Sequence, residues 1–336
     1  MNHHHAPPSI LSSRGIASLL RFPSPHRSFA SPLLVVPSPI ARWPHLDPQG
    51  GPSLLRSLSL AGFAVYCLDW GEPLTVDRDL TWNEVVARVA WARRQVIEQE
   101  GSESVALLGF SLGGTLAVIS SALEPHGLAA LVNLSGPIDF AQAGAFAWLS
   151  DPRWFDPAIP AALFRCTPPA VMRATLALHR MGPTRPWLDL FGPVLEATSE
   201  PMFGLAEAWA QHHVPLPPRA YETYVRELIQ DNQLIRGHHH VEGRRVDLND
   251  IDCPLLAIGA RRDAICRHQS VTTLARCSGS LDATALVVPG GHLGSIVGRR
   301  AERTLHDPIV SWLSARMAPT PEVRGPAPSG GVQPPS

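Results

Sequence analysis

Short apolar runs alternate with amphipathic stretches along most of the chain. Candidates for buried strands lie at 33–36, 64–68, 105–108, 128–134, 255–258 and 285–288. Helix-like patterns lie at 53–61, 82–100, 112–123 and 301–315. A capping box from Thr81 to Glu84 marks the start of the second of these helices, and Gly101 marks its end. Strands that alternate with helices predict an α/β fold with a mostly parallel central sheet and helices on both faces.

This alternation stops in the middle of the chain. Residues 141–247 contain many prolines and four tryptophans with several helix-like pieces, and we expect a helical cap inserted into the sheet domain. The core then comprises 29–140 and 248–316. Residues 1–28 form an arginine- and serine-rich N-terminal segment, which either leads into the first strands of the domain or is an organellar transit peptide. Residues 317–336 are rich in proline, glycine and serine and predict a disordered tail.

Composition excludes several classes of protein. Hydrophobic residues make up 45% of the chain and charged residues 17%, which is enough for a large core. The net charge of -1 argues against nucleic-acid binding, and the absence of a run of 18 apolar residues argues against a transmembrane helix. All 28 basic residues are arginine, so Schiff-base and P-loop lysine chemistry is impossible. The five cysteines are widely spaced, which disfavours zinc and disulfide frameworks and suits a reducing cytoplasm.

The strongest chemical motif is a glycine-rich turn. Residues 109–113 read Gly-Phe-Ser-Leu-Gly between a predicted strand and a predicted helix. This context is that of a nucleophile elbow, a strained turn that exposes the hydroxyl of Ser111. We therefore predict that Ser111 is a catalytic nucleophile.

A serine nucleophile needs a base, and His292 is the best candidate. It follows the strand at 285–288 within Pro-Gly-Gly-His-Leu-Gly, at the edge of the sheet where catalytic groups gather. The histidines that compete with it lack this setting. They are His45, His126, His179, His212, His213, His238, His239, His240 and His268. The run of three histidines predicts a polar hairpin rather than a metal site, because adjacent side chains of an extended chain point in opposite directions.

The base in turn needs an acid. Asp263 follows the strand at 255–258, and Asp139 holds the rival position after the strand at 128–134. We favour Asp263, since the order Ser111, Asp263, His292 is that of α/β-hydrolases. For the oxyanion hole we predict the N–H groups of Leu112 and Ile40; the neighbouring prolines cannot donate, and Ser38 is the other choice.

Several longer stretches carry a family resemblance between about Ala17 and Leu313. They read VP at 36–37, LDPQ at 46–49, VYCLDWGEP at 65–73, GFSLGG at 109–114, GRRVDL at 243–248 and PGGHLG at 289–294. In these stretches the chain resembles the polyhydroxyalkanoate (PHA) synthases, especially the short bacterial type. The resemblance implies an α/β-hydrolase core with a helical cap, with Asp263 and His292 as acid and base. It places Ser111 at the nucleophile position, where the synthases carry cysteine.

We therefore expect a serine-dependent acyl hydrolase or acyltransferase that acts on an ester or a (hydroxy)acyl-thioester such as an acyl-CoA. No cofactor and no metal are expected. A serine ester is a less labile carrier than a thioester, so hydrolysis or simple transfer ranks ahead of polymerisation by a PHA synthase. An inactive hydrolase-fold binding protein is the third alternative, and the intact Ser-Asp-His order argues against it. A homodimer and an association with polyester granules both stay open.

Overall fold

The structure is a computed structural model that describes residues 6–48, 50–142, 144, 149–163 and 214–320. Strands β1 to β10 span, in order, Ser9–Arg14, Ala17–Arg21, Leu33–Val36, Val65–Asp69, Val105–Phe110, Leu128–Leu134, His240–Val241, Arg244–Arg245, Leu255–Ala260 and Ala283–Val288. Helices α1 to α9 span, in order, Leu54–Leu60, Trp82–Glu100, Leu112–Leu123, Ala158–Leu163, Pro218–Thr223, His268–Thr272, Leu274–Cys277, Gly294–Val297 and Asp307–Ser314. Turns of π-helix follow α5, at Tyr224–Gln230, and precede α9, at Glu302–His306.

The main sheet has the strand order β1-β2-β4-β3-β5-β6-β9-β10. Its six strands from β4 to β10 in this order are mutually parallel, whereas β2 is antiparallel to both β1 and β4. Every residue of β3, β5 and β9 is buried, as expected for strands covered on both faces. The α/β prediction is confirmed, and the carboxyl ends of β5, β6, β9 and β10 share one edge.

The ends of α2 agree with the predicted capping box. The Thr81 side chain accepts from the Glu84 N–H, and the Glu84 carboxylate accepts from the Thr81 N–H. Gly101 ends the helix with φ of 58°, a conformation that costs glycine little. The helix therefore spans 82–100, as the sequence predicts.

The core begins earlier than the predicted boundary at residue 29. Strand β2 pairs with β4 from Ser18 opposite Asp69 to Arg21 opposite Tyr66, and β1 adds beyond it as the edge strand. Ala17, Leu19 and Leu20 are buried in this position. The arginine-rich start thus contributes two strands of its own to the sheet, which the sequence analysis does not predict.

The predicted cap and the predicted tail lie partly outside the residues that the structure describes. Residues 164–213, nearly half of the predicted cap, lie outside them, as do residues 321–336 of the predicted tail. The core extends past the predicted boundary at 317, because the Ala30 N–H donates to the Ala318 carbonyl and the Thr320 N–H donates to the Ser28 carbonyl. No helix in the described part is long and apolar enough to cross a membrane.

The predicted hairpin at the three histidines is formed by β7 and β8. It is less polar than expected, because His239 is fully buried. The Trp82 indole N–H donates to His239 Nε2 at 3.0 Å, and His239 Nδ1 lies 3.0 Å from Glu227 Oε2. This histidine therefore fastens the segment after α5 to the start of α2. Within the described residues no cluster of His, Cys, Asp and Glu could hold a metal ion.

Candidate active site

Ser111 occupies a sharp turn between β5 and α3. Its φ of 56° and ψ of -130° are unusual for a residue with a side chain, and such strain is typical of functional turns. The turn closes tightly because its neighbours are glycines: a Cβ atom on Gly109 would lie 2.5 Å from the Gly114 Cα. The Ser111 N–H donates to the Leu134 carbonyl of β6, which fixes the start of the turn. The sequence thus folds here into the strand-turn-helix geometry of a nucleophile elbow.

His292 reaches this turn from the loop after β10. Its Nε2 lies 3.0 Å from Ser111 Oγ, and its Nδ1 lies 2.7 Å from Asp263 Oδ2. An ionised carboxylate can only accept, so Nδ1 carries the proton and Nε2 is free to accept from the Ser111 hydroxyl. The imidazole is almost completely buried, and the Phe110 ring packs against it with centroids 5.1 Å apart. The ring is thus held with its basic nitrogen toward the serine.

Asp263 is held in turn by the loop after β9. Its Oδ1 accepts from the N–H groups of Ile265 at 2.9 Å and Cys266 at 2.8 Å, which leaves Oδ2 for His292. The carboxylate is buried and has three donors, an arrangement that satisfies a buried negative charge. The two backbone donors are part of the site that the sequence did not point out.

The rival acid Asp139 serves elsewhere. Its Oδ1 accepts from the Asn232 side-chain amide at 2.8 Å and from the Ala141 N–H at 3.2 Å. Its backbone is tied to α6, where the Ser270 hydroxyl donates to the Asp139 carbonyl. Asp139 therefore joins the loop after β6 to the segment after α5, and the structure brings Asp263 rather than Asp139 to His292.

The loop after β3 lies beside the first turn of α3. A Cβ atom on Gly113 would lie 2.2 Å from the Val36 carbonyl oxygen, so only glycine permits this approach. The Trp70 indole N–H donates to the Pro37 carbonyl at 2.8 Å and holds the loop from the other side. Trp70 was not recognised as a site residue in the sequence, although it lies in the VYCLDWGEP stretch.

Backbone donors are available on both sides of the elbow. Among the described residues no acceptor is found for the N–H groups of Leu112 and Ile40, and Ser38 N–H is equally free. The Ile40 carbonyl accepts from the Val214 N–H, and the Ser38 carbonyl accepts from the Ala41 N–H, so the loop backbone is fixed through its carbonyls. Leu112 and Ile40 remain our proposed oxyanion hole.

Among the described residues, His292 is the histidine that is hydrogen-bonded to Ser111. His268 begins α6, and His239 is bonded to Trp82 and Glu227. His179, His212 and His213 lie outside the described residues. The sequence did not single out His306, which is buried and bonded to Ser57 at 3.0 Å. This second serine–histidine pair has no carboxylate partner, because His306 Nε2 donates to the Ile296 carbonyl.

A cysteine also lies close to the site but is not activated. Cys266 is buried three residues after Asp263. Burial raises the pKa of its thiol well above the ordinary value, and the charge of Asp263 raises the pKa further. The thiol is therefore protonated at neutral pH, and a protonated thiol is a poor nucleophile. Ser111 is the group that His292 faces.

Comparison with known proteins first defines the class. A family model described as the alpha/beta hydrolase fold matches residues 37–165. An esterase from Thermogutta terrifontis superposes with a TM-score of 0.54 at 16% identity, covering 93% of this chain and 100% of the esterase. MenH from S. aureus superposes with a TM-score of 0.57 at 13% identity, covering 90% and 99%. The chain has the α/β-hydrolase fold.

Comparison with curated relatives adds a similarity in sequence. The poly(3-hydroxyalkanoate) polymerase subunit PhaC of Allochromatium vinosum is 27% identical, covering 85% of this chain and 81% of the relative. PhaC of Haloferax mediterranei is 26% identical, and the alignment covers 85% of this chain and 59% of that relative. The alignment with PhaC of Haloarcula marismortui covers 62% of the relative. The chain thus spans about three fifths of these two relatives. The chain has the α/β-hydrolase fold and is similar in sequence to the PHA synthases over most of its length, as the sequence motifs indicate.

Proposed function

We propose that the protein is a serine acyl hydrolase or acyltransferase that takes its acyl group from an ester or a (hydroxy)acyl-thioester. One run of hydrogen bonds carries the proposal, from Ser111 Oγ to His292 Nε2 at 3.0 Å and from His292 Nδ1 to Asp263 Oδ2 at 2.7 Å. A serine hydroxyl becomes an effective nucleophile when a base takes its proton, and the base needs an acid that fixes its tautomer. Ser111, His292 and Asp263 fit these three roles.

The first half-reaction forms an acyl-enzyme. Ser111 Oγ attacks the carbonyl carbon of the substrate, and its proton passes to His292 Nε2. The carbonyl oxygen becomes an oxyanion, which the N–H groups of Leu112 and Ile40 stabilise. Collapse of this intermediate breaks the bond to the alkoxide or thiolate leaving group, which takes the proton from His292. The acyl group remains on Ser111 as an oxygen ester.

The second half-reaction releases the acyl group. Water or an alcohol gives a proton to His292 Nε2 and attacks the ester carbonyl. The same backbone donors stabilise the second oxyanion. When the bond to Ser111 Oγ breaks, His292 returns the proton to the serine. Asp263 holds Nδ1–H throughout and stabilises the imidazolium that forms in each half-reaction.

The relatives support the choice of substrate class. They are named poly(3-hydroxyalkanoate) polymerase subunits and match four fifths or more of this chain. A hydroxyacyl thioester such as 3-hydroxybutyryl-CoA is therefore the donor that we propose to test first. A CoA-thioester donor also fits the cytoplasmic setting expected from the cysteine spacing.

The same similarity favours a second candidate, polymerisation of hydroxyacyl-CoA. Polymer growth requires the hydroxyl of the next hydroxyacyl group to attack the acyl-enzyme in competition with water. Ser111 would carry the growing chain as an oxygen ester, whereas the PHA synthases that the chain resembles use a cysteine thioester. Because the oxygen ester is the less labile carrier, we rank hydrolysis or simple transfer ahead of polymerisation.

Incubation of the purified protein with 3-hydroxybutyryl-CoA separates the candidates. CoA release with soluble 3-hydroxybutyrate supports hydrolysis, and CoA release with insoluble polyester supports the synthase. Absence of release from this substrate and from p-nitrophenyl butyrate would leave only an inactive binding protein. Ser111→Cys is the matched variant: polymer formed only by this variant would identify the nucleophile as the group that decides between the outcomes.

A further inference from the structure

A buried arginine on helix α2 has no partner among the described residues. Arg88 lies in the second turn of the helix and is 8% exposed. Its guanidinium makes no hydrogen bond and no ion pair within the part of the chain that the structure describes. Arg93, the other buried arginine of α2, differs, because its guanidinium donates to the carbonyls of Glu124 and His126. A buried cation without acceptors is costly, so Arg88 needs a partner.

The two nearest carboxylates are engaged elsewhere. Burial lowers the pKa of Arg88 below its ordinary value, and the charges of Asp77 and Glu84 oppose this shift only in part. Asp77 Oδ2 accepts from the Leu74 N–H, and Glu84 Oε2 accepts from the N–H and the hydroxyl of Thr81. Both carboxylates therefore cap helical turns of their own. Glu84 reaches back to the start of α2 instead of forward to Arg88.

The turn between β1 and β2 lies against the Arg88 guanidinium. A Cβ atom on Gly15 would lie 3.8 Å from Arg88 Nη2. Arg14, which precedes Gly15, is exposed and has no ion pair within the described residues, and its charge adds to the lowering of the pKa of Arg88. In the same part of the chain the N–H groups of Gly15 and Ile16 have no acceptor. Two cations and two free backbone donors thus belong to one contact between turn and helix.

This turn lies at the same edge of the main sheet as Ser111. Ser18 of β2 pairs with Asp69, the last residue of β4, so the turn before β2 is at the carboxyl edge. Strands β4 and β3 separate β2 from β5, which places the turn roughly 14 Å across the sheet from the nucleophile elbow. The turn is therefore distinct from the proposed catalytic residues, but it lies on the edge where ligands approach an open α/β sheet.

A phosphate group matches these donors. Guanidinium groups bind phosphate through paired, charge-assisted hydrogen bonds, and the N–H groups of a turn add further donors. A carboxylate has two oxygens to offer, whereas a phosphate has at least three, which suits two guanidinium groups and a turn. We propose that Arg88, Arg14 and the turn at Gly15 and Ile16 form a binding site for a phosphate group. The group belongs either to free phosphate or to a phosphorylated ligand, such as coenzyme A, that extends along the sheet edge.

The stability of an Arg88 variant tests the site. Arg88→Met keeps an unbranched apolar side chain but removes the charge. In chloride without phosphate we expect it to melt no lower than the wild type, because the variant removes an unpaired buried cation. Phosphate at ten times its Kd should raise the Tm of the wild type by roughly 2 °C and that of Arg88→Met not at all. Potassium chloride keeps the ionic strength equal, which separates binding from general screening.

The matched control lies on the same helix. Arg94 is exposed and paired with Glu124, so Arg94→Met should keep the wild-type response to phosphate. An Arg88→Met variant that melts well below the wild type in chloride would show that Arg88 has a partner in its own chain, and the proposal would fail. An equal response to phosphate in the wild type and in Arg88→Met would overturn it as well.

A second variant tests the site without touching the core. Arg14→Gln removes an exposed cation, so its folding is not at risk. We expect isothermal titration calorimetry to show a Kd for phosphate at least about threefold higher than that of the wild type, because one charged donor is lost. An unchanged Kd would overturn the part of the site assigned to Arg14.

Titration with two ligands identifies the source of the phosphate group. Inorganic phosphate and coenzyme A are each titrated into the wild type and into Arg88→Met. Similar Kd values that rise together in the variant support a site for free phosphate. Coenzyme A that binds at least about tenfold tighter than phosphate, and loses this advantage in Arg88→Met, supports a phosphorylated ligand. Absence of binding by both at about 10 mM would overturn the site.

These measurements are separate from the proposed acyl transfer. They record binding and stability, so they do not require turnover of any ester. A chain that binds phosphate through Arg88 but releases no acyl group would keep this site and lose the proposed function. A chain that hydrolyses p-nitrophenyl butyrate but does not bind phosphate would keep the function and lose the site.

Discussion

Two serine–histidine pairs with the same separation show what makes one of them a candidate for catalysis. Ser111 Oγ and Ser57 Oγ each lie 3.0 Å from a histidine nitrogen, of His292 and His306 respectively. The other nitrogen of His292 faces the Asp263 carboxylate, whereas that of His306 faces a backbone carbonyl. A carboxylate stabilises the imidazolium that forms when the histidine takes a proton, and a neutral carbonyl does so far less. The carboxylate therefore distinguishes the two pairs.

We predict that Ser111→Ala lowers kcat by at least about a thousandfold, because the acyl-enzyme can no longer form. A fluorophosphonate probe should label the wild type and not this variant. Ser57→Ala is the matched control, since it removes a serine at the same distance from a histidine, and it should keep both labelling and activity. Substantial activity in Ser111→Ala would contradict the proposed nucleophile.

The two aspartates that compete in the sequence give a second matched pair. Asp263→Asn keeps the size of the side chain but removes the charge that faces His292, and we predict a loss of at least about a hundredfold in kcat. Asp139→Asn keeps an oxygen that can accept from Asn232, and it should alter kcat by less than about threefold. Steady-state kinetics on p-nitrophenyl butyrate measure both effects. The reverse ranking would assign the acid to Asp139.

At the scale of elements, the sequence predicts those strands and helices that are marked by a pattern of neighbouring residues. The sequence predicts the strand at 128–134 and the helix at 82–100 with their observed bounds, since an apolar run marks the first and a capping box marks the start of the second. Strands β1 and β2 were missed because serines interrupt their apolar residues, and because β2 is recognised only through its partner β4. Likewise, nothing local indicates that the Trp70 indole holds the loop after β3.

The close contact between the loop after β3 and helix α3 predicts the effect of a substitution at Gly113. In Gly113→Ala the new methyl group would meet the Val36 and Pro37 carbonyl oxygens at 2.2 and 2.3 Å, so loop and helix must separate. The Leu112 and Ile40 donors would move apart, and we expect kcat to fall by roughly a hundredfold, as for the loss of one oxyanion donor. KM should change far less.

Gly243→Ala is the control for a general loss of stability. Gly243 has φ of 74°, so alanine is strained there, but nothing lies within 4 Å of the added methyl group. We expect this variant to lose stability by about 1 kcal/mol and to keep its kcat. If both glycine variants lost activity in proportion to their stability, the loop contact would have no specific role.

At the scale of the whole molecule, the order of the three proposed catalytic residues along the chain predicts that the strands before them end close together. Ser111, Asp263 and His292 follow β5, β9 and β10, and in a parallel sheet these strands end at the same edge. The sequence could not reveal the separate polar contacts that hold distant segments together. Asn232 with Asp139, His239 with Trp82, and His306 with Ser57 each join residues more than 90 positions apart, and no periodic pattern records such a pair.

The buried His306 makes the stability of the whole fold depend on pH. It joins α1, through Ser57, to α8, through the Ile296 carbonyl, and is completely buried. Burial lowers the pKa of His306 below its ordinary value, and it outweighs the opposite effects of the Ile296 carbonyl and of Glu302 and Asp307. In the unfolded chain the same imidazole takes up a proton near its ordinary pKa of about 6.5. Between these two pKa values the unfolded state therefore binds more protons than the folded state.

It follows that the free energy of unfolding rises with pH in this window and falls as the pH drops below about 6.5, by at most about 1.4 kcal/mol per pH unit from this group. We predict that His306→Gln, although less stable at pH 7.5, loses less stability than the wild type between pH 7.5 and pH 5.5 in urea unfolding. His126→Gln removes an exposed histidine and should retain the wild-type difference. A wild-type difference that persists unchanged in His306→Gln would show that other groups cause the acid sensitivity. If the stability difference between the two pH values shrinks in His306→Gln but not in His126→Gln, the acid sensitivity arises from His306 at the contact between α1 and α8.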